Sequence, residues 1–145
     1  MSKVEDFLSA SEEDEIVKAI QTAEKETSGE IRVHLEKSTS IDPFDRAMEV
    51  FHFLKMDETL LKNGVLFYLA IEDKTFVIYG DKGINDVVTN DFWDCTKDCM
   101  VAHFKNGNFK QGLVDGILRA GEQLQRYFPS HADDTNELPD TISKG

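Results

Sequence analysis

The chain has 145 residues, of which 40% are apolar and 30% charged, and its net charge is −12 with a sequence pI of about 4.6. That length fits one domain with a core of its own. So large an acidic excess repels phosphate backbones and anionic lipid, which excludes nucleic acid and membrane surfaces as the expected partners.

The first residues, MSKVEDFLSASEEDE, hold no apolar run of signal length, and the longest apolar run, residues 65–71, is too short to cross a bilayer. The expectation is a cytoplasmic monomer in which Cys95 and Cys99 stay reduced. Ser11, followed by Glu12, Glu13 and Asp14, reads as a helix start, because acidic side chains suit the positive end of a helix. Ile16, Val17, Ala19, Ile20 and Ala23 continue at helical spacing, and Gly29 is placed to cap the C-terminus. Residues 30–35 alternate, Ile31, Val33 and Leu35 against Glu30, Arg32 and His34, which predicts a strand with one wetter face. After the loop KSTSIDP, Asp42-Pro43 opens a helix with the stripe Phe44, Ala47, Met48, Phe51 and Leu54.

Asn63-Gly64 precedes VLFYLAI, and EDK separates that run from TFVIYG. Two apolar runs so joined predict a β-hairpin, and a strand apolar on both faces belongs in a sheet covered on both sides. Phe92, Cys95, Thr96, Cys99, Met100 and Phe104 mark a further helix, broken at Asn106-Gly107-Asn108. Phe109, Leu113, Ile117, Ala120, Leu124 and Phe128 form the last one. In it Gly112, Gly116 and Gly121 either permit close packing or cost stability, and Pro129 ends it. The fold class that follows is α/β, a mixed sheet between two helical layers. Residues 1–10 are expected to be a flexible N-terminus and residues 129–145, with Asp133, Asp134 and Glu137, a disordered acidic tail.

The stretches TSGEIRVHLEKS, NGVLFYLAIEDKTFVIYGDKGINDVVTNDFW and HFKNGNFKQGLVDGI together resemble the TPM domain family over residues 11–128. The marks are Gly29-Glu30-Ile31 entering the first strand and Asn63-Gly64-Val65 entering the hairpin. Gly80-Asp81-Lys82-Gly83-Ile84 leaves the hairpin, and Phe109 with Gly112 opens the last helix. The resemblance implies an open αβα sandwich around a sheet of about four strands; the fourth strand is expected near Asp86-Val87-Val88. Many relatives carry a signal peptide and a membrane anchor, so this chain looks like a stand-alone bacterial member. The family also brings phosphatase-like activity and divalent metal held in loops beyond the sheet.

Residues 80–91 supply Asp81, Asn85, Asp86, Asn90 and Asp91 with Gly80 and Gly83, just after a strand. Hard cations take six to eight oxygens from such groups, and strand ends are where α/β folds hold ligands. The loop KSTSIDPFD brings Asp42 and Asp45, and the two loops share an ion if their strand ends are neighbours. The EF-hand pattern fails, because counting from Asp81 puts Asp86 at its glycine and Phe92 at its bidentate glutamate. The competing reading makes Asp81 a turn cap, Asp91 a helix cap, and Asp94 and Asp98 a solvated face. The expected cation set is Asp81, Asp86, Asp91, Asn85, Asp42 and Asp45, with Ca²⁺ or Mg²⁺ as cofactor.

Asp91, Cys95, Cys99 and His103 recur every four residues, and two thiolates and an imidazole suit Zn²⁺, but the stripe spans about 18 Å, so the four cannot all reach one ion and two adjacent members would bind only with help from elsewhere. Thiols packed on the sheet are the simpler account. No Gly-rich phosphate loop, G-x-S-x-G or HExxH is present, and His34, His52 and His131 lack an evident nucleophile partner. Three functions follow from these residues. The first is a divalent-metal-binding domain whose crossing loops are stabilised by the ion. The second is a metal-dependent phosphatase or related hydrolase. The third is a metal-responsive interaction module with an unidentified protein partner, for which Trp93 beside Phe92 would be a surface anchor.

Overall fold

The structure is a computed structural model that describes residues 7–59, 61–89, 91–130 and 142–144. Helix α1 (Ala10–Glu26) begins at Ser9, whose side chain accepts the Glu12 N–H while Glu12 takes the Ser9 N–H, so a full capping box starts the helix two residues before Ser11. It buries Ile16, Ala19, Ile20 and Ala23, four positions on one face. Strand β1 (Glu30–Glu36) leads to helix α2 (Pro43–Phe53), which Asp42 caps and Pro43 opens. A single 3₁₀ turn (Met56–Glu58) precedes the hairpin of β2 (Gly64–Ala70) and β3 (Thr75–Gly80). A one-turn helix α3 (Lys82–Asn85) follows, then α4 (Asp94–Lys105), α5 (Phe109–Gln125) and the edge strand β4 (Ser143–Lys144).

The sheet order is β3-β2-β1-β4. β1 and β2 are parallel, with Glu30 opposite Gly64 and Glu36 opposite Ala70. β3 returns antiparallel, with Thr75 opposite Ala70 and Gly80 opposite Val65. α2 is thus the crossover of a parallel pair, and the hairpin adds the antiparallel edge. Successive residues of β2 feed two cores. Val65, Phe67 and Leu69 join Ile31, Val33, Leu35 and the buried faces of α1 and α5, with Met100 of α4. Leu66, Tyr68 and Ala70 pack with Ala47, Val50 and Phe51 of α2 and with Met56. Every residue of β2 is buried, as a strand apolar on both faces requires. The architecture is therefore the expected α/β sandwich: helices, a four-stranded mixed open sheet, helices.

Several local expectations change. The fourth strand is Ser143–Lys144, paired with His34 and Leu35 of β1, whereas residues 86–88 follow α3 as a turn. A two-residue strand in a polar tail has no alternation of its own to betray it. Of the rest of the expected disordered tail, Pro129 pairs with Thr27 in an isolated bridge and Ile142 packs against the main core, while residues 131–141 and 145, His131 among them, lie outside the described residues, as do residues 1–6. Leu8, expected to be flexible, is 5% exposed in the main core, and the ring of Phe7 lies 5.0 Å from that of Phe109. Gly29 is no left-handed cap, since α1 ends at Thr27 in extended backbone; a Cβ at Gly29 would press on Leu124 Cδ1 at 3.1 Å. The wetter face of β1 is polar but largely buried: Glu30 and His34 are 3% and 5% exposed, Glu36 beyond them is 6% exposed, and Arg32 is half-buried.

Candidate functional site

The six expected cation ligands divide between the two ends of the sheet. Asp42 and Asp45 follow β1, at the end where Glu36, Ala70 and Thr75 lie side by side. Asp81 follows Gly80, at the end defined by Val65 and Glu30. The length of β2, about 20 Å for a strand of this size, separates them. The two loops therefore do not cross, because β3 runs back against β2; this corrects the expectation of a shared ion. Asp42 is occupied as a helix cap, accepting the N–H groups of Phe44 and Asp45 at 3.0 and 3.3 Å, and Asp45 is exposed.

Four candidates remain in the segment that follows β3, three of them on one turn. Asp81 caps α3, its Oδ1 accepting the Lys82 N–H at 2.7 Å. The residue is 8% exposed and its Oδ2 is buried without a hydrogen-bond partner. Asn85 donates from Nδ2 to the Gly80 carbonyl at 3.0 Å, and Asp86 is the exposed C-cap of α3. Asp91 accepts the Thr89 hydroxyl and does not cap α4, whose N-cap is Trp93; Asn90 lies outside the described residues. Asp94 and Asp98 are exposed, as a solvated face requires. Trp93 is 8% exposed and packs edge-on against Phe92 at 4.6 Å, so it is a core residue and no surface anchor.

On the α2 face of β1 lies a constellation the alternation did not single out. Arg46 donates Nε to Glu36 Oε2 at 2.9 Å and Nη2 to Glu36 Oε1 at 2.6 Å, a bidentate pair, and Nη1 to Glu49 at 3.2 Å. The Tyr68 hydroxyl also donates to Glu36, and His34 lies between Glu36 Oε1 at 3.4 Å and Ser143 Oγ at 2.9 Å. Burial would raise the Glu36 carboxyl, but the bonds from Arg46 and Tyr68 outweigh it and hold it at about 2. Burial pushes His34 down, and its contact with Glu36 offsets that only in part. Burial, then the bond to Glu36, pushes the Tyr68 phenol up. Each guanidinium nitrogen of Arg46 meets a carboxylate, and the network lets β1 carry charge under a helix.

A third grouping joins two helices. Cys99 and His103 are one turn apart on α4, and Asp115 faces them from α5. Among the described residues, these are the three His, Cys, Asp or Glu side chains whose ligand atoms all lie within 4.8 Å of one another. His103 Nε2 meets Asp115 Oδ2 at 2.7 Å, and Asp115 Oδ1 accepts from Gln111 Nε2 at 2.8 Å. All three are half-buried. The thiols thus do not pack on the sheet: α4 buries Thr96 and Met100, about 100° round the helix from the Cys95–Cys99–His103 line, and Cys95 is exposed. Asp115 was not among the expected ligands. Its signal was the glycine spacing of α5, which promised a close helix neighbour but did not name which.

The profile of the TPM domain family matches residues 1–123. The chain is 69% identical to BA42, a protein of the psychrophilic bacterium Bizionia argentinensis whose structure was solved by NMR; the match covers 100% of both chains at a TM-score of 0.94. The N-terminal domain of a P. gingivalis protein is 19% identical, over 87% of this chain and 83% of that one, at a TM-score of 0.69. The N-terminal domain of a Corynebacterium glutamicum protein is 13% identical, over 95% and 81%, at 0.63. These last two share the fold alone. Comparison with curated proteins gives no match. No helix among the described residues is long and apolar enough to cross a membrane. With the sandwich and the motifs Gly29-Glu30-Ile31, Asn63-Gly64-Val65 and Gly80-Asp81-Lys82-Gly83-Ile84 in place, the family match decides the assignment: the chain belongs to the TPM domain family.

Proposed function

We propose that this TPM domain binds a hard divalent cation, Ca²⁺ or Mg²⁺, at the turn between β3 and α3. The observation that carries the reading is Asp81 Oδ2, a buried carboxylate oxygen with no hydrogen-bond partner. A buried charge is costly unless it is paired or holds a metal, and a divalent ion supplies the missing partner. Asn85 and Asp86 stand on the same turn, Asp91 lies in the segment beyond, and backbone carbonyls and water complete a shell of oxygens. The ion stiffens residues 80–91, and the ordered segment is the surface offered to a protein partner.

The test is a Ca²⁺ and Mg²⁺ titration followed by amide NMR on the wild type and Asp81→Asn. Saturable shifts at residues 80–91, with residues 38–46 silent and the variant unresponsive, are expected. No shift with millimolar ion, or a response centred on Asp42 and Asp45, sinks the reading. Ion-dependent turnover of a generic phosphoester that is lost in Asp81→Asn would replace a binding module by a hydrolase.

A further inference from the structure

We infer that Cys99, His103 and Asp115 form a second metal site, one that takes a borderline divalent ion, Zn²⁺ above all. It is independent of the turn at Asp81 and differs from it in chemistry. A thiolate, an imidazole and a carboxylate are the ligand types zinc takes, whereas Ca²⁺ and Mg²⁺ favour oxygen alone. Cys99 and His103 stand at i and i+4 on α4, so both side chains leave the same face of the helix. Asp115 supplies the third ligand from α5, which the single stripe on α4 could not provide.

The geometry needs little change to close on an ion. Zinc bonds of about 2.3 Å to sulfur and about 2.0 Å to nitrogen and oxygen put tetrahedral edges near 3.3–3.6 Å. The ligand atoms already lie within 4.8 Å of one another. His103 Nε2 and Asp115 Oδ2, at 2.7 Å, are hydrogen-bonded where the ion would sit and part slightly to admit it. The proton balance is simple. The Cys99 thiol loses its proton to solvent, and His103 binds as the neutral imidazole with its ring hydrogen on Nδ1, which leaves Nε2 for the ion. Thiolate, carboxylate and divalent ion then sum to zero charge, which suits a half-buried place. The fourth position is left to water or to a ligand from outside.

The surroundings are built for this. Gln111 Nε2 fixes the second oxygen of Asp115, and Lys110 Nζ, 3.3 Å from Gln111 Oε1, fixes the orientation of that amide. Such outer contacts orient metal ligands and raise affinity. Helices α4 and α5 come close enough only because Gly112 and Gly116 lack side chains. A Cβ at Gly112 would strike the Phe104 ring and stand 3.3 Å from His103 Cβ, and one at Gly116 would stand 2.6 Å from Met100 Sδ.

The same three residues could be read as a thiol nucleophile with its base and orienting acid, but the backbone argues against that. Cys99 sits in the middle of α4, where neighbouring N–H groups are spent on helix bonds and cannot form an oxyanion hole.

Cobalt is the probe, because a tetrahedral Co²⁺ site with one thiolate shows intense d–d bands and a sulfur-to-metal charge-transfer band. Wild-type protein under reducing conditions is expected to develop both with one equivalent of Co²⁺, and one equivalent of Zn²⁺ should erase them. Affinity should rise with pH, since the thiolate is the ligand. Cys99→Ser should remove the charge-transfer band. His103→Gln and Asp115→Asn should each weaken binding at least tenfold, and Gln111→Ala by roughly tenfold. Cys95→Ser and Asp81→Asn should leave the spectrum unchanged, which separates this site from the exposed thiol and from the proposed oxygen site. Amide spectra of the variants confirm the fold. No charge-transfer band, or a band that survives Cys99→Ser or needs Cys95, overturns the proposal.

Discussion

Glu36 is the residue around which the α2 face of β1 is balanced. Its side chain is 8% exposed and is held by Arg46, Tyr68 and His34. Arg46→Ala should cost about 2–3 kcal/mol in denaturant unfolding, below the roughly 3–5 kcal/mol for breaking a fully buried pair, because Arg46 itself is 35% exposed. Acid sensitivity divides between two groups. His34 is pushed below its ordinary 6.5, so the unfolded chain binds its proton first. The stability it contributes is complete above that value and falls as pH drops below it. Glu36, held at about 2 against an ordinary 4.5, contributes stability that is complete above 4.5 and is lost as pH falls toward 2. Thermal melts should therefore weaken in two steps, and His34→Gln should remove the upper one. Little of this was legible in the chain. Alternation put Glu30, Arg32 and His34 on a wetter face, and the ten-residue reach from Glu36 to Arg46 that covers one end of it is not written in that spacing.

At the scale of elements, sequence pattern did well wherever the pattern was local. The hairpin, the fully buried β2, the Pro43 start of α2 and the apolar stripe of α5 all arise from spacing within a single segment. Gly83 is a sharper case. The motif marks it as necessary, but the reason is tertiary: a Cβ there would sit inside the carbonyl oxygens of Leu61 and Lys62, so α3 can rest on that backbone only without a side chain. Gly83→Ala should cost more than 2 kcal/mol in equilibrium unfolding and should disturb the amides of residues 61–62 and 80–86 together. A loss below 0.5 kcal/mol would show that α3 shifts freely. The edge strand β4 was illegible for the opposite reason. Two residues of an acidic tail acquire strand geometry only by pairing with His34 and Leu35.

For the molecule as a whole, net charge −12 has two separable consequences. Self-repulsion destabilises the folded state, so moderate NaCl should raise the melting temperature by screening alone. Ca²⁺ or Mg²⁺ at matched ionic strength should add a further increment, about 2.7 kcal/mol at a hundredfold excess over Kd, that vanishes in Asp81→Asn. An increment that persists in the variant would assign it to diffuse screening. The sequence by itself determined the class of fold, its layers, the family and the carboxylate density of residues 80–91, because periodicity and short motifs are written in neighbouring residues. Only the tertiary structure decided where ligands meet. The antiparallel return of β3 carried Asp81 to the far end of the sheet from Asp42 and Asp45. The close approach of α5 to α4 brought Asp115 to Cys99 and His103. Both depend on the direction and distance of segments remote in the chain, which no local spacing encodes.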